Sequence, residues 1–285
     1  MVAFEQELMA HRPDLVLVVG DVTSTLACSI AAKKLQIDVA HVEAGIRSGD
    51  LNMPEEINRI VTDSITDYFF TTSEKATENL IHYGTPRENI FFVGNVMIDT
   101  LNQNLSRFVK PDFWEEYKLQ TENYIILTLH RPSNVDDVSS LVNLLKGIDQ
   151  MVEGKKVIFP IHPRTKSILK DSNISFQNII TVEPQSYLNF MYLVKHSFAV
   201  ITDSGGLSEE TTVLKIPCFT LRNNTERPET QTIGTNTLVG TSVGNLKSIF
   251  AEFIKTGKKD SGIPNLWDGK ASERITNHLA EIFHL

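Results

Sequence analysis

The sequence predicts an α/β protein built on parallel β-sheets. Short apolar runs, rich in β-branched and aromatic residues, alternate along the chain with stretches of helical periodicity. Such runs are typical of strands buried on both faces, and strands joined by helices form parallel sheets through right-handed crossovers. The predicted strands are 15–19, 37–42, 68–71, 90–93, 124–129, 156–161, 179–182, 198–201 and 217–221.

Three helices are predicted from apolar spacing and from start signals. Apolar residues at i, i+3 and i+4 predict a helix over 138–152. Pro54 suits the first turn of a second helix, which carries Ile57, Ile60 and Val61 on one face. An amphipathic pattern predicts a last helix within 265–285.

Domain organisation follows from the length and from one polar interruption. A chain of 285 residues favours two domains. The strand–helix alternation pauses at 102–123, a polar stretch with Pro111, which is typical of a connector. We therefore predict a first α/β domain over 1–108, a second over 120–264 and a terminal helical segment over 265–285.

Composition excludes several classes of protein. The 27 basic and 35 acidic residues give a net charge of −8, which argues against a nucleic-acid-binding protein. No apolar run reaches the roughly 18–20 residues of a membrane helix, and the first residues do not resemble a signal peptide. Two cysteines, Cys28 and Cys218, form neither a disulfide framework nor a zinc pattern. The sequence predicts a cytoplasmic protein without nucleic-acid or membrane partners.

The strand ends of the second half predict an anion-binding site. Ligands of open α/β sheets bind beyond the carboxyl ends of the strands. In the second half these ends carry histidines, arginines and a glycine-rich turn that opens a helix, where backbone N–H groups can bind phosphate. The candidate residues are His130, Arg131, His162, Arg164, Ser204, Gly205, Gly206, Arg222 and Arg227. The same residues are also consistent with a glycine-rich turn flanked by solvated arginines.

Acidic residues stand at the strand ends of the first half. Asp21 and Glu43 follow two predicted strands, and the pair Glu55–Glu56 opens the helix after Pro54. Carboxylates gathered at one sheet edge are candidates for acid–base chemistry, although the position of each acid alone favours a helix cap or a surface acid. His41, within a strand, is consistent with a core histidine whose hydrogen bonds are satisfied.

Glu209 and Glu210 lie one turn into the helix after the glycine-rich turn. Their spacing favours simple complementarity to the helix dipole over hydrogen bonding to a ribose diol. Together the two halves predict a cleft with a phosphate-binding wall and a carboxylate-bearing wall. None of the nucleotide or metal signatures GxGxxG, Walker A, HExxH, DxD or the EF-hand loop occurs, so neither NAD nor a required metal is predicted.

These features together resemble the non-hydrolysing UDP-N-acetylglucosamine 2-epimerases. The resemblance extends from about residue 14 to residue 275 and rests on ten segments in the order of that family. The segments are GDVTSTLA, HVEAGIRSGD, MPEEINR, VGNVMID, LTLHRPSNVDD, IHPRT, EPQSYLNFMYL, TDSGGLSEE, NNTERPETQTIGTNTLVG and DGKASERI.

The resemblance implies a GT-B-like fold with two Rossmann-like, doubly wound domains and a last helix that crosses back to the first domain. It implies interconversion of UDP-GlcNAc and UDP-ManNAc through elimination of UDP, a 2-acetamidoglucal and re-addition of UDP, without a cofactor. It also implies a homodimer that supplies precursors of cell-surface polysaccharide.

The resemblance also assigns roles to individual residues. The acids near the sugar match Asp21, Glu43 and Glu55, and the histidine near the departing phosphate matches His130. The diphosphate turn matches Ser204, Gly205 and Gly206, and the ribose carboxylate matches Glu210.

The sequence departs from the family pattern in two places. The family's opening strand and its GTRPE turn are absent, which predicts an incomplete first domain with apolar surface exposed on its sheet. HRPSN replaces the commoner HRREN at 130–134, which is compatible with a related UDP-2-acetamido sugar, such as a diacetamido-uronate. Three further functions are compatible with the sequence: hydrolysis of the glucal, glycosyl transfer by a GT-B enzyme, and UDP-sugar binding by an inactive remnant.

Overall fold

The structure is a computed structural model, and it describes residues 1–135, 137–162, 165–167, 169 and 174–284. The chain separates into two compact units. The first consists of Met1–Thr100 with Pro264–Leu285, and the second of Leu101–Ile263. Each unit contains one parallel sheet, which confirms the predicted α/β class.

The strands agree closely with the predicted apolar runs. They are β1 (Leu15–Val19), β2 (Asp38–Ala44), β3 (Tyr68–Thr71), β4 (Ile90–Phe92), β5 (Tyr124–Thr128), β6 (Lys156–Pro160), β7 (Ile179–Val182), β8 (Ala199–Thr202), β9 (Cys218–Thr220) and β10 (Asn236–Leu238). The sequence analysis missed β10, because this three-residue strand has the polar sequence NTL and no apolar run.

The helices connect and cover these strands. They are α1 (Val2–Ala10), α2 (Thr23–Lys34), α3 (Pro54–Ser64), α4 (Glu74–His82), α5 (Val96–Asn104), α6 (Phe113–Glu116), α7 (Pro132–Val135), α8 (Val138–Met151), α9 (Tyr187–Lys195), α10 (Gly205–Leu214), α11 (Pro228–Thr232), α12 (Val243–Thr256) and α13 (Ala271–Phe283). Short 3-10 helices lie at Arg87–Asn89 and Leu105–Arg107. Pro54 occupies the first turn of α3, as predicted.

The sheet of the first unit pairs in the order β1-β2-β3-β4, so its described strands follow one winding direction. The predicted burial of both strand faces is wrong for β1. Leu17 and Val19, which share one face, are 43% and 47% exposed. The opposite face of the same strand is covered, since Val16 and Val18 are buried, so β1 has one covered face and one open face.

The C-terminal segment packs on the first unit. Ile275 and Leu279 of α13 join a core cluster that includes Val42 and Phe70. The carboxylate of Asp99 accepts hydrogen bonds from the first backbone amides of α13, at 3.0 Å from Ala271 N and 2.6 Å from Ser272 N. These bonds satisfy amides that have no partner within the helix.

The sheet of the second unit has the order β10-β9-β8-β5-β6-β7. Within this sheet β5 is the first strand along the chain. The next strands, β6 and β7, lie on one side of β5, and β8 then pairs with its other side. The winding direction therefore reverses between β5 and β8, which is the topological switch point where doubly wound sheets bind ligands. The core beneath is apolar and includes Leu145 of α8, Phe159 of β6 and Phe250 of α12.

Within the described residues, none of the helices combines the length and the apolar character that crossing a lipid bilayer requires.

Candidate functional site

The switch point of the second sheet brings two predicted site segments to one edge. Strands β5 and β8 pair in parallel, with Thr128 opposite Thr202, and their hydroxyl oxygens are 2.6 Å apart. His130 and Ser204 each follow two residues later. The strand register thus places the LHR segment beside the glycine-rich turn.

The carboxylate of Asp203 joins these two segments. Asp203 is fully buried. Its Oδ1 lies 2.6 Å from His130 Nδ1, and its Oδ2 accepts the backbone amide of Arg131 at 2.9 Å and the side-chain amide of Asn134 at 3.0 Å. Burial opposes ionisation of this group, yet the hydrogen bonds from His130 and Asn134 outweigh it and lower the pKa of Asp203. A buried anion therefore holds the end of β5 against the end of β8.

The network orients His130 and Arg131 differently. The His130 side chain is 60% exposed, although its Nδ1 contacts Asp203. The Nε of Arg131 donates to the Asp203 carbonyl at 3.2 Å. The imidazole is thus anchored on one nitrogen while most of its surface faces solvent, an arrangement suited to binding an anion.

The glycine-rich turn starts helix α10. Ser204 is its N-cap residue and accepts a long hydrogen bond from Leu207 N at 3.5 Å. A Cβ atom on Gly205 would lie 2.6 Å from Glu226 Oε1 and 3.0 Å from Arg222 Nη1. A larger residue here would have to displace the ends of the Glu226 and Arg222 side chains, so glycine lets this charged pair approach the backbone closely. The first amides of α10 lie at the switch point, as in anion-binding helix starts.

The pair Arg222–Glu226 is bidentate, with N–O distances of 2.6 and 3.2 Å. Burial would raise the pKa of Glu226, but the hydrogen bonds from Arg222 prevail and lower it to about 2. The pair packs against the turn at Gly205. The sequence predicted anion binding for Arg222, whereas the structure shows it paired with a carboxylate.

The two adjacent glutamates of α10 have different partners. Glu209 is fully buried, and its Oε1 lies 2.5 Å from Arg227 Nε. Glu210 is 7% exposed, and its Oε1 accepts the Tyr187 hydroxyl at 2.9 Å. Burial raises the pKa of Glu210, against the opposing effect of the Tyr187 hydrogen bond. Because Arg227 binds Glu209, its predicted role in UDP binding rests on sequence alone.

Of the remaining predicted residues, His162 is exposed and follows β6 by two positions. Arg164 lies outside the described residues. The second unit therefore brings His130, Arg131, Ser204 and Gly205 together at one sheet edge. Glu210 follows within the second turn of α10.

In the first unit, buried Arg59 connects two acids. Its Nε lies 2.9 Å from Asp21 Oδ2, and its Nη1 lies 2.5 Å from Glu56 Oε2. The Asp21 side chain is one-third exposed, at 33%, so part of the carboxylate remains open to solvent. Asn58 fixes the same turn by donating to the Asp21 carbonyl at 2.8 Å.

The two glutamates after Pro54 are not equivalent. Glu56 is buried and accepts hydrogen bonds from the amides of Ser48 and Gly49, both at 2.9 Å. Burial opposes its ionisation, but these bonds and Arg59 lower the pKa of Glu56. Glu55 is exposed. The geometry gives Glu56 a structural role and leaves Glu55 accessible for chemistry.

Glu43 lies in the left-handed region of backbone conformation, with φ of +70°, where the β2–β3 register shifts between Val42 and Ala44. A non-glycine residue there carries strain, of roughly 1–3 kcal/mol, that is common at functional sites. The bulge turns Glu43 out of the strand alternation, and the residue is only partly buried. The backbone thus supports a functional interpretation of Glu43 independently of its charge.

His41 is confirmed as a satisfied core histidine. Its ring nitrogens contact Asp63 Oδ1 at 2.7 Å and the Gly20 carbonyl at 2.9 Å. Burial alone would lower the pKa of His41, but Asp63 reverses the effect and raises it. Asp63 also binds Arg47 at 2.6 Å, so the group forms a buried ionic cluster.

Within the described part of the chain, no three His, Cys, Asp or Glu side chains are grouped in a way that could hold a metal ion.

Sequence analysis missed three residues that hold the site together, Asp203, Arg59 and Glu226, and it named Glu56 only as a candidate for acid–base chemistry. In the sequence Asp203 is recognisable only as part of a turn, because its function depends on the pairing of β5 with β8, which are 74 residues apart at Thr128 and Thr202. Arg59 lies one turn after Glu55–Glu56, and the i, i+3 spacing of opposite charges was the available signal.

Comparison with known proteins identifies similar chains over nearly the whole length. A sequence model of the UDP-N-acetylglucosamine 2-epimerase family matches residues 1–280. A UDP-N-acetylglucosamine 2-epimerase of Methanocaldococcus jannaschii is 44% identical, over 98% of this chain and 78% of its own. A UDP-2,3-diacetamido-2,3-dideoxy-D-glucuronate 2-epimerase of Pseudomonas aeruginosa is 34% identical, over 99% and 79% of the two chains.

A solved structure is similar in three dimensions. The crystal structure of the Methanocaldococcus jannaschii UDP-GlcNAc 2-epimerase in complex with UDP-GlcNAc and UDP has a TM-score of 0.86 and 43% identity. The match covers 98% of this chain and 79% of the crystallised chain.

The Asp203 network predicts a specific effect of pH on stability. We expect Asp203→Asn to lower the free energy of unfolding at pH 7 by about 1.5–3 kcal/mol, since a hydrogen-bonded charge is lost. Because the folded pKa of Asp203 lies below its ordinary value of 3.8, its contribution is complete above that value. The contribution is lost as the pH falls through the folded pKa. Urea unfolding of both proteins from pH 7 to pH 3 measures the difference.

Asp112→Asn serves as the control, because Asp112 is exposed and makes no side-chain capping hydrogen bond. Its effect should stay within about 0.5 kcal/mol. Equal stability of Asp203→Asn and the wild type at pH 7 would contradict the role assigned to Asp203.

Proposed function

We propose that this chain, which belongs to the UDP-N-acetylglucosamine 2-epimerase family, interconverts UDP-GlcNAc and UDP-ManNAc. It is an isomerase of the non-hydrolysing type. One observation carries the proposal: the Asp203 network places an exposed histidine beside a helix-opening glycine turn at the switch point of the second sheet. That arrangement suits a phosphate leaving group.

The second unit holds the UDP moiety. The first amides of α10 and the Ser204 hydroxyl bind the diphosphate, and Gly205 and Gly206 allow the backbone to approach it. Asp203 occupies Nδ1 of His130, so Nε2 is the nitrogen that donates to a phosphate oxygen. Arg131 adds positive charge and His162 adds a hydrogen-bonding ring as the C1–O bond breaks. Arg164 and Arg227, which also binds Glu209, are further candidates.

Glu210 binds the ribose. Its carboxylate lies in the second turn of α10, where it can accept two hydroxyl hydrogen bonds while Tyr187 holds one oxygen at 2.9 Å. A buried carboxylate gains most from such bonds, because water no longer solvates it. Ribose hydroxyls would restore the lost solvation, which supports this role over simple complementarity to the helix dipole.

The reaction requires a proton acceptor and a stabilised leaving group. A base removes the weakly acidic hydrogen at C2, the C1–O bond breaks, and UDP leaves as the 2-acetamidoglucal forms. Return of UDP to C1 and of a proton to the opposite face of C2 gives the epimer. The cations and amides of the second unit stabilise the charge on the departing phosphate.

The acids of the first unit transfer the proton. We assign this work to Asp21, Glu43 and Glu55. Asp21 is oriented by Arg59 and partly exposed. Glu43 is turned out of β2 by the bulge, and Glu55 is exposed. The carboxylate that is fully committed to hydrogen bonds, Glu56, is excluded as a base by its own contacts.

A second candidate substrate is a UDP-2,3-diacetamido sugar acid. The relative from Pseudomonas aeruginosa, 34% identical over 99% of this chain, carries that substrate in its name. The neutral Pro132–Ser133 in place of the commoner charged pair also favours a related sugar. Parallel assays with both UDP-sugars distinguish the candidates by the ratio of kcat/KM.

We further propose that the protein works in the cytoplasm as a homodimer and supplies UDP-ManNAc for cell-surface polysaccharide. The free, widely separated Cys28 and Cys218 suit a reducing compartment. The homodimer and the pathway rest on family membership.

UDP affinity tests the role of Glu210. Glu210→Gln should weaken UDP binding about 10- to 150-fold, corresponding to roughly 1.5–3 kcal/mol for a hydrogen-bonded charge. The affinity of the wild type for UDP should also fall as the pH is lowered toward the raised pKa of Glu210, because protonation of the carboxylate blocks an acceptor oxygen. Calorimetry with UDP measures both effects, with the exposed Glu153→Gln as control. Equal affinities of Glu210→Gln and wild type would reject the role.

Isotope incorporation tests the chemistry. In D2O, without added NAD or metal, UDP-ManNAc formed from UDP-GlcNAc should carry deuterium at C2, because the acid that returns the proton exchanges with solvent. Asp21→Asn, Glu43→Gln and Glu55→Gln should each lose about 10²–10⁴-fold in turnover. All three should keep their UDP affinity, because the UDP-binding residues lie in the other unit.

Glu88→Gln, at an exposed acid of the first unit, should turn over normally. Mass spectrometry and proton NMR of the product give the readout. Product that retains protium at C2 would refute proton exchange through these acids.

A further inference from the structure

A cavity of about 570 Å³ opens at the end of the second sheet opposite to the phosphate turn. Pro217 and Thr235, which line it, directly precede β9 and β10, so it lies at the amino ends of these parallel strands. Ser204, in contrast, follows the carboxyl end of β8. The volume lies within the range of small-molecule pockets.

One part of the wall of this cavity is apolar and aromatic. Phe219 of β9 and Ile249 and Phe253 of α12 contribute to it. The two phenylalanine rings contact each other edge to face, with centroids 5.2 Å apart. Such a wall favours a flat apolar group, because aromatic rings pack well edge to face or offset.

The rim of the cavity carries three lysines, Lys215, Lys258 and Lys259, and two acids, Glu252 and Asp260. Lys258 binds Glu122 at 2.6 Å, and Lys259 donates to the Gln231 carbonyl. The Lys215 ammonium makes no hydrogen bond or ion pair with any described residue.

We propose that this cavity is a second ligand site, which binds a small organic anion with a flat aromatic body. The aromatic body packs against Ile249 and Phe253, which are only partly buried, and the negative group meets Lys215. Because the phosphate turn lies at the other end of the sheet, this ligand and UDP would occupy separate sites.

Two fluorescent probes of similar shape test the site. 8-Anilinonaphthalene-1-sulfonate carries the negative charge, and N-phenyl-1-naphthylamine has a similar aromatic body without it. Both should bind wild type saturably. Thr256→Trp, which fills the cavity from its exposed rim, should weaken both probes at least 10-fold. Lys255→Trp, on the preceding position of α12 but outside the lining, should leave both unchanged.

Charge is tested by Lys215→Gln. The sulfonate should bind about two- to fivefold more weakly, as for a partly exposed ion pair, while the neutral probe should be unaffected. Saturating UDP should displace neither probe.

Three results would overturn the proposal. These are the absence of saturable sulfonate binding to wild type, unchanged binding to Thr256→Trp, and displacement by UDP. If Lys215→Gln weakened the binding of both probes equally, or changed the binding of neither, the preference for an anion would be rejected. Circular dichroism of each variant establishes that it is folded, and binding to Lys255→Trp controls for the added indole.

Discussion

The candidate site of the second unit depends on one buried carboxylate. An ionised group inside a protein must be matched by hydrogen bonds or by opposite charge, since burial alone strongly disfavours it. Asp203 meets this requirement by drawing in the backbone of Arg131 and the side chains of His130 and Asn134. The same contacts set the position of the β5 loop relative to the start of α10. The phosphate turn and its histidine therefore form one preorganised group rather than two independent loops.

The first unit applies the same principle with the charges exchanged. Arg59 is a buried cation, and its requirement for anions fixes Asp21 and Glu56. The Glu56 carboxylate also accepts hydrogen bonds from two backbone amides, so its contacts are structural. The Asp21 carboxylate, in contrast, stays partly open to solvent. Glu43 leaves the strand alternation by a different route, through a bulge that holds its backbone at φ of +70°. Buried partners and backbone strain together determine which acids remain available for proton transfer.

The local features of this structure could be predicted from sequence, and the long-range ones could not. Apolar runs located every described strand except β10, in which two of the three residues are polar, and Pro54 marked the start of α3. The glycine turn was recognisable because glycine at the start of a helix lets a phosphate approach the backbone N–H groups closely. The role of Asp203 was hidden, since it requires the order of strands in the sheet. The strand pattern alone predicted burial of both faces of β1, although Leu17 and Val19 are exposed, because a strand covered on one face and a strand covered on both can have the same apolar sequence.

Catalysis, as proposed, breaks and remakes the bond between the sugar and UDP, and a label in that bond gives the most direct test. The measurement uses UDP-GlcNAc with oxygen-18 in the bridge between C1 and the β-phosphorus, followed by phosphorus-31 NMR. If UDP is released and then returns to C1, the label spreads from the bridge into the non-bridging positions of the β-phosphate, in substrate and product alike. Epimerisation with the label confined to the bridge would contradict an elimination in which UDP is released from C1 and then returns.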